Sequence, residues 1–174
     1  HGFKKRKMNK SQTIKEVENR NAQFMNINEL RRIYIDAGEP VVSVDTKKKE
    51  VLGSLYREGK VYSQTALEVY DHDFASLQTG LVVPHGIYDI SNNHAFINIG
   101  SSRDTAEFFF DSMLHWWESY GKFQYPNASK LLIVCDGGGS NSSRHYVFKE
   151  AVHKLADKIG ISVRIAHYPP YCSK

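Results

Sequence analysis

"LLIVCDGGGSN" occupies residues 131–141. Leu131 to Cys135 form a short, continuous apolar run, the pattern of a strand buried on both faces. The run ends in a carboxylate, Asp136, followed by Gly137, Gly138 and Gly139. Glycines there let backbone come close to a bulky group. They form no nucleotide P-loop, because no Gly-Lys-Ser/Thr follows.

The flanking segments say what covers this strand. Downstream, "RHYVFKEAVHKLADKIG" (144–160) reads as an amphipathic helix. Phe148, Val152, Leu155 and Ile159 share one face, and Gly160 is placed as its stop. "ISVRIAHY" (161–168) is a last strand, ended by Pro169 and Pro170. Upstream, "RDTAEFFFDSMLHWWESYG" (103–121) is a second helix. Asp104 and Glu107 have the spacing of a capping box, and Gly121 is its expected end. Trp116 and Trp117 are expected in or near the core.

"GIYDISNNHAFINIG" (86–100) is a hairpin turning at residues 91–93, where asparagine tolerates positive φ. "NRNAQFMNINELRRIYIDAGEP" (19–40) is a helix with Phe24, Ile27, Leu30, Tyr34 and Ala37 on one side and Gly38 as its stop. "PVVSVDTKKKE" (40–50) is a strand that loses its apolar character at Asp45. Residues 51–63 allow a hairpin turning at Glu58-Gly59, and residues 71–80 read as loop. Strand, helix, strand, helix, strand after a hairpin predicts an α/β fold: a mixed sheet with helices on both faces.

The chain has 174 residues, one domain's worth, with 41% hydrophobic residues. No apolar run approaches the ~18 residues of a membrane helix, so no membrane partner is expected. Cys135 and Cys172 form no CxxC motif, and a reduced cytoplasmic setting is the default. Net charge is +4. Lys4, Lys5, Arg6, Lys7 and Lys10 account for it, since residues 1–10 hold no acid and the remainder nets −1. A basic arm of this kind suits DNA phosphate contact, although short basic ends are often simply solvated.

Asp45 and Asp136 are the candidate chemistry. If their strands are neighbours, both carboxylates converge at one sheet edge, where open α/β sheets place their sites. Converging carboxylates repel, so they share a proton or hold a cation. Hard oxygen donors favour Mg²⁺ or Mn²⁺. Two such ions suit phosphodiester cleavage. Against this, a lone aspartate at a strand end is more often a turn former or cap than a ligand. Strand alternation would put Lys47 and Lys49 on the face of Asp45, in reach of DNA phosphates, although lysines also protect edge strands. His145 and His153, eight residues apart, are too far for a shared zinc site. His167 is expected either near the metal site or as a packing residue. Ser140 and Asn141 are expected to cap the following helix.

"VVSVDTKKKE", "HDF", "HGIYDI", "DTAEF", "CDGGGSN" and "HYPPYCSK", in that order, resemble the Rhodopirellula-type family of DDE transposases. The resemblance covers roughly residues 20–174. It implies an RNase H-like catalytic domain with a five-stranded mixed sheet. It implies that Asp45 and Asp136 are the first two acids of a metal-binding triad serving two ions. It also implies DNA partners (transposon ends and target), a homo-oligomeric active complex and a bacterial, nucleoid-associated location. In the family the segment like "HYPPYCSK" is followed by Trp-Asn-x-x-Glu, so the third acid is expected beyond Lys174. Glu107 is a substitute candidate, which the capping-box reading explains more simply. Residues 1–18 are expected to be a basic linker or arm and residues 19–174 the catalytic core, truncated before the third acid and inactive alone. The alternatives are a decayed or domesticated DNA-binding module and a metal-dependent nuclease.

Overall fold

The computed structural model describes residues 18–47, 49–56, 59–70, 75–101, 104–138 and 145–170. The elements run α1 (Arg20–Asp36), β1 (Val41–Thr46), β2 (Glu50–Leu52), β3 (Gly80–Asp89), β4 (His94–Gly100), α2 (Ala106–Trp116), a π turn (Trp117–Gly121), α3 (Lys122–Gln124), β5 (Lys130–Cys135), α4 (Tyr146–Ile159) and β6 (Ser162–His167). No helix among the described residues is long and apolar enough to cross a membrane.

The sheet is mixed, as expected. β1 pairs antiparallel with β3 and parallel with β5, and β5 pairs parallel with β6. β4 closes the β3–β4 hairpin through the turn at residues 90–93, where Asn93 takes φ 51°. Leu131 to Cys135 are all fully buried, each side chain contributing roughly 1.5–3 kcal/mol. They alternate between two cores. Leu131, Ile133 and Cys135 meet α2 and α4 through Phe109, Met113, Trp116, Phe148 and Leu155. Leu132 and Val134 meet α1 through Ile27 and Tyr34, with Val41 beside them. Gly38 leaves α1 at φ 72°, a conformation that favours glycine.

Six strands appear where five were expected, and a bulge explains the difference. Thr46 faces His85, but Glu50 faces Val82. Residues 47–49 therefore span what only Val83 and Pro84 span opposite, one residue too many. Pro84 has no N–H, and its carbonyl accepts the Lys47 N–H at 2.9 Å, so the missing donor falls at the bulge. β2 continues the line of β1 along β3, leaving five strand lines.

The structure corrects three local expectations. Residues 51–63 do not fold back on themselves among the described residues: Val51 and Leu52 pair with Leu81 and Gly80, and Leu55 bridges to Tyr70. The partner is β3, which starts at Gly80 and whose edge pairs with residues 50–52. The expected turn partner Glu58 lies outside the described residues. The cap of α2 is Thr105, whose Oγ1 accepts the Phe108 N–H at 3.2 Å, rather than Asp104. Both residue types cap well, so spacing alone did not separate them. Gly121 lies inside the helical run, which continues to Gln124. A Cβ at Gly121 would meet Trp117 Cε3 at 2.7 Å and Trp116 Cζ3 at 3.1 Å. The glycine makes room for two buried indoles instead of stopping a helix.

Glu39 ties the start of β1 to the start of β5. Its carboxylate accepts the Ser129 N–H (2.9 Å), the Ser129 hydroxyl (2.6 Å) and the Lys130 N–H (3.0 Å). Partial burial pushes its pKa up, but these hydrogen bonds outweigh that and hold it below the usual carboxylate range. A lowered folded pKa adds stability above the unfolded value and loses it as pH falls through the folded one.

Two predictions follow from these contacts. Glu39→Gln is expected to cost about 1 kcal/mol at pH 7 and to flatten the loss of stability that the native chain shows below about pH 4.5. Urea denaturation at pH 7 and pH 4 measures both. Gly121→Ala, despite its better helix propensity, is expected to destabilise by roughly 1–3 kcal/mol through overpacking. A raised melting temperature would show that the indoles yield freely.

Candidate active site

The parallel register of β1 and β5 runs from Val41↔Leu132 to Val44↔Cys135. One residue further on each strand stand Asp45 and Asp136, both exposed. Neighbouring strands lie about 4.8 Å apart, so the two residues stand side by side at the strand ends. Val42 and Val44 point into the α2–α4 core. Asp45 therefore belongs to the other face, that of Val41, and Asp136 belongs with Leu132 and Val134. α1 covers the start of that face, and the carboxylates lie past the part it covers.

The row extends across the sheet. Asp45 is opposite Gly86, and Gly86 is opposite Ile97. Gly86, Gly137 and Gly138 share a property: none has a positive φ, and none is crowded. A Cβ at Gly86 would meet only the Asp45 carbonyl oxygen at 3.7 Å, an ordinary contact, and one at Gly138 would meet nothing within 4 Å. Folding does not require glycine at these places. These glycines leave the surface beside both acids free of Cβ atoms.

Behind Asp45, on the α2 face, His85 is fully buried, with its ring near the edges of Phe108 and Phe109. Burial pushes its pKa down to about 4, against the pull of Asp104 and Asp45. Neither ring nitrogen has a hydrogen-bond partner among the described residues, nor has the buried Oγ1 of Thr46 opposite it. His85 is thus a neutral wall at pH 7.

The other candidates are placed differently. Glu107 is exposed in the groove between α2 and α4, beside Phe110, Glu150 and Lys154. That is the opposite side of the sheet from Asp45 and Asp136. The bulge breaks strand alternation past Thr46, so Lys47 and Lys49 border an open depression of about 530 Å³ with Thr46, Val83 and Asp104. Lys47 also pairs with Glu50 at 2.6 Å. His167 packs edge-on to Phe148, ring centroids 6.2 Å apart, on the α4 side. His145 precedes α4 and His153 is exposed on it. Trp116 and Trp117 are core residues, as expected. Lys4, Lys5, Arg6, Lys7, Ser140, Asn141 and Cys172 lie outside the described residues.

With this geometry in view, a family model described as the Rhodopirellula transposase DDE domain matches residues 1–174. The chain belongs to that family. This DDE domain is also similar to solved transposase structures. Against the Mos1 transposase paired-end complex with left transposon end, the TM-score is 0.56 at 8% identity, over 96% of this chain and 48% of that one. Against the Mos1 mariner paired end complex with Mn, the values are 0.52 and 11%, over 97% and 48%. Against the mariner Mos1 paired end complex with Mg they are 0.50 and 12%, over 97% and 48%. Identities this low show the fold, which is RNase H-like, and the chain spans about half the length of these solved chains. No curated protein sequence matches it.

The donor set of the DDE domain suits a hard divalent cation: two exposed carboxylates on adjacent strand ends, with glycine clearance around them. Among the described residues no group of three or more His, Cys, Asp or Glu side chains is placed to hold a metal. The carboxylate pair supplies two oxygen-donor groups, fewer than the roughly six to eight oxygens such an ion takes. The sequence reading passed over Gly86 and His85. A glycine inside an alternating strand was the available signal for the first, and nothing local marked the second.

If folding does not need the glycine, Gly86→Ala should raise stability by about 0.5–1 kcal/mol, the usual gain over glycine in a strand. A loss of more than 1 kcal/mol in urea denaturation would show that packing demands glycine there.

Proposed function

We propose that residues 19–174 form the catalytic core of a DNA transposase that cuts and joins phosphodiesters with Mg²⁺ or Mn²⁺. The observation that carries this reading is the in-register pair Asp45 and Asp136 at adjacent parallel strand ends, in a chain of the DDE family. Asp45 and Asp136 would hold the ions, two in the assembled site, with a third carboxylate from beyond Lys174. Bound there, divalent ions supply Lewis-acid activation of water and charge neutralisation at phosphorus.

The chain's own residues do the rest. Gly86, Gly137 and Gly138 let the DNA backbone approach the acids. Lys47 and Lys49 contact phosphates beside the site, and Lys4, Lys5, Arg6 and Lys7 hold flanking DNA. In the first step a water oxygen bonds to phosphorus and the bond to the 3′ oxygen breaks, leaving a 3′-hydroxyl at the transposon end. In the second, that hydroxyl bonds to a target phosphorus and displaces a 3′ oxygen there. The active form is a homo-oligomer bringing two ends together, in the bacterial cytoplasm at the nucleoid. Mos1 complexes solved with Mn or Mg support the choice of ion.

A non-catalytic DNA-binding module is the second reading, favoured by the two-acid site among the described residues. Calorimetry with Mn²⁺ and a nicking assay test both. Residues 1–174 are expected to bind Mn²⁺ weakly and to nick DNA at background rate. A longer form carrying the third acid should nick, and Asp45→Asn or Asp136→Asn should cut its rate by about 10²–10³-fold or more. Unchanged Mn²⁺ affinity and nicking in Asp45→Asn would remove the site, and background nicking by the longer form would favour the module.

A further inference from the structure

The face that carries Asp45 does not end at the acids. Continuing across β3 and β4 it presents Gly86 and Tyr88, then Ala95, Ile97 and Ile99. Tyr88, Ile97 and Ile99 are 40%, 66% and 56% exposed. These are large apolar groups to leave in water, and α1 does not reach them. The Tyr88 hydroxyl donates to Asn93 Oδ1 at 2.6 Å, which ties the ring to the hairpin turn. Residues 86–101 contain no lysine or arginine, and their only acid, Asp89, is buried and accepts the Ser91 N–H and the Tyr125 hydroxyl.

We propose that the outer face of the β3–β4 hairpin is a nucleobase shelf, receiving unpaired bases next to the phosphate held at Asp45 and Asp136. The inference rests on the transposase-core reading and gives it a substrate-positioning surface. Its occupant follows from continuity and charge. The row Asp136, Asp45, Gly86, Ile97 is unbroken, and Ile97 is two strand spacings, roughly 9.6 Å, from Asp45. That is the length of two to three B-form steps of ~3.4 Å. A strand with its phosphate at the acids that runs along this row passes over Gly86 and reaches Ile97 within a few nucleotides. An uncharged, apolar surface with a tethered aromatic ring has nothing to offer phosphates but suits base faces, which stack on aromatics without regard to sequence. Stacked duplex bases hide those faces, so the DNA must be open there.

The test compares two fluorescein-labelled ten-nucleotide probes in Mn²⁺: oligothymidine, and the same backbone with abasic sites at its centre. Their binding to residues 1–174 is read by anisotropy. Removing the bases should weaken binding to the native chain roughly 5- to 100-fold. Tyr88→Ala should weaken oligothymidine by a similar factor and leave the abasic probe unchanged, while Tyr88→Phe keeps the ring and the affinity. Melting curves identify variants that have lost the fold, and Ile97→Ser, a change at an exposed position, repeats the comparison independently. Equal binding of both probes, or equal weakening of both by Tyr88→Ala and by Ile97→Ser, overturns the shelf. So does a dimer of the DNA-free chain in sedimentation that Ile97→Lys dissociates, because the face would then be a protein interface. Base-independent binding that still needs Mn²⁺ and Asp45 overturns the shelf alone. Binding with no Mn²⁺ dependence, unaltered by Asp45→Asn, overturns the metal-site reading and the shelf with it.

Discussion

The parallel register between β1 and β5 is the constraint on which the rest depends. A slip of one residue would turn every side chain of a strand to the other face. It would place Val44 or Thr46, not Asp45, beside Asp136. Two forces prevent the slip. Leu131 to Cys135 are buried on alternate faces, so any slip exposes one set or crowds the other. At the far end Glu39 grips Ser129 and Lys130, fixing where β5 begins relative to β1. The acids are thus positioned by contacts six or seven residues away from them, through an apolar strand that carries no chemistry itself.

Uneven coverage of the two faces converts that register into a usable site. α2 and α4 seal one face, including His85 and the inner side of the hairpin. α1 covers only the beginning of the other, at Val41, Leu132 and Val134. Among the described residues the ends of β1 and β5 therefore stay open, and the opening continues over Gly86 to the exposed side of β3 and β4. The extra residue between Thr46 and Glu50, with Pro84 opposite, falls in the stretch that carries Lys47 and Lys49. Positive charge then flanks the acids, leaving the surface directly beyond them apolar.

Much of the fold was legible because its elements are strongly periodic. The continuous run at 131–135, the helical faces of 20–36 and 146–159 and the turn at 90–93 each follow from local pattern alone. The errors fall where two local solutions are close in energy or where a distant partner decides. Asp104 and Thr105 are both good caps. Gly121 looks like a stop until two indoles from its own helix are seen against it. The segment 50–52 has enough β propensity for several partners, and in the fold it extends the longer β3.

By itself the sequence determined the order and type of most elements, the two acids that end strands, and the family to which the chain belongs. These depend on side-chain periodicity and on residue identity along the chain. Only the tertiary structure decided that Asp45 and Asp136 share a face and a register, that Glu107 lies on the other side, and that Gly86 and Tyr88 extend the row. Those facts rest on pairings between segments some 40 to 90 residues apart. Such pairings depend on which buried faces fit together, and no local pattern carries that information.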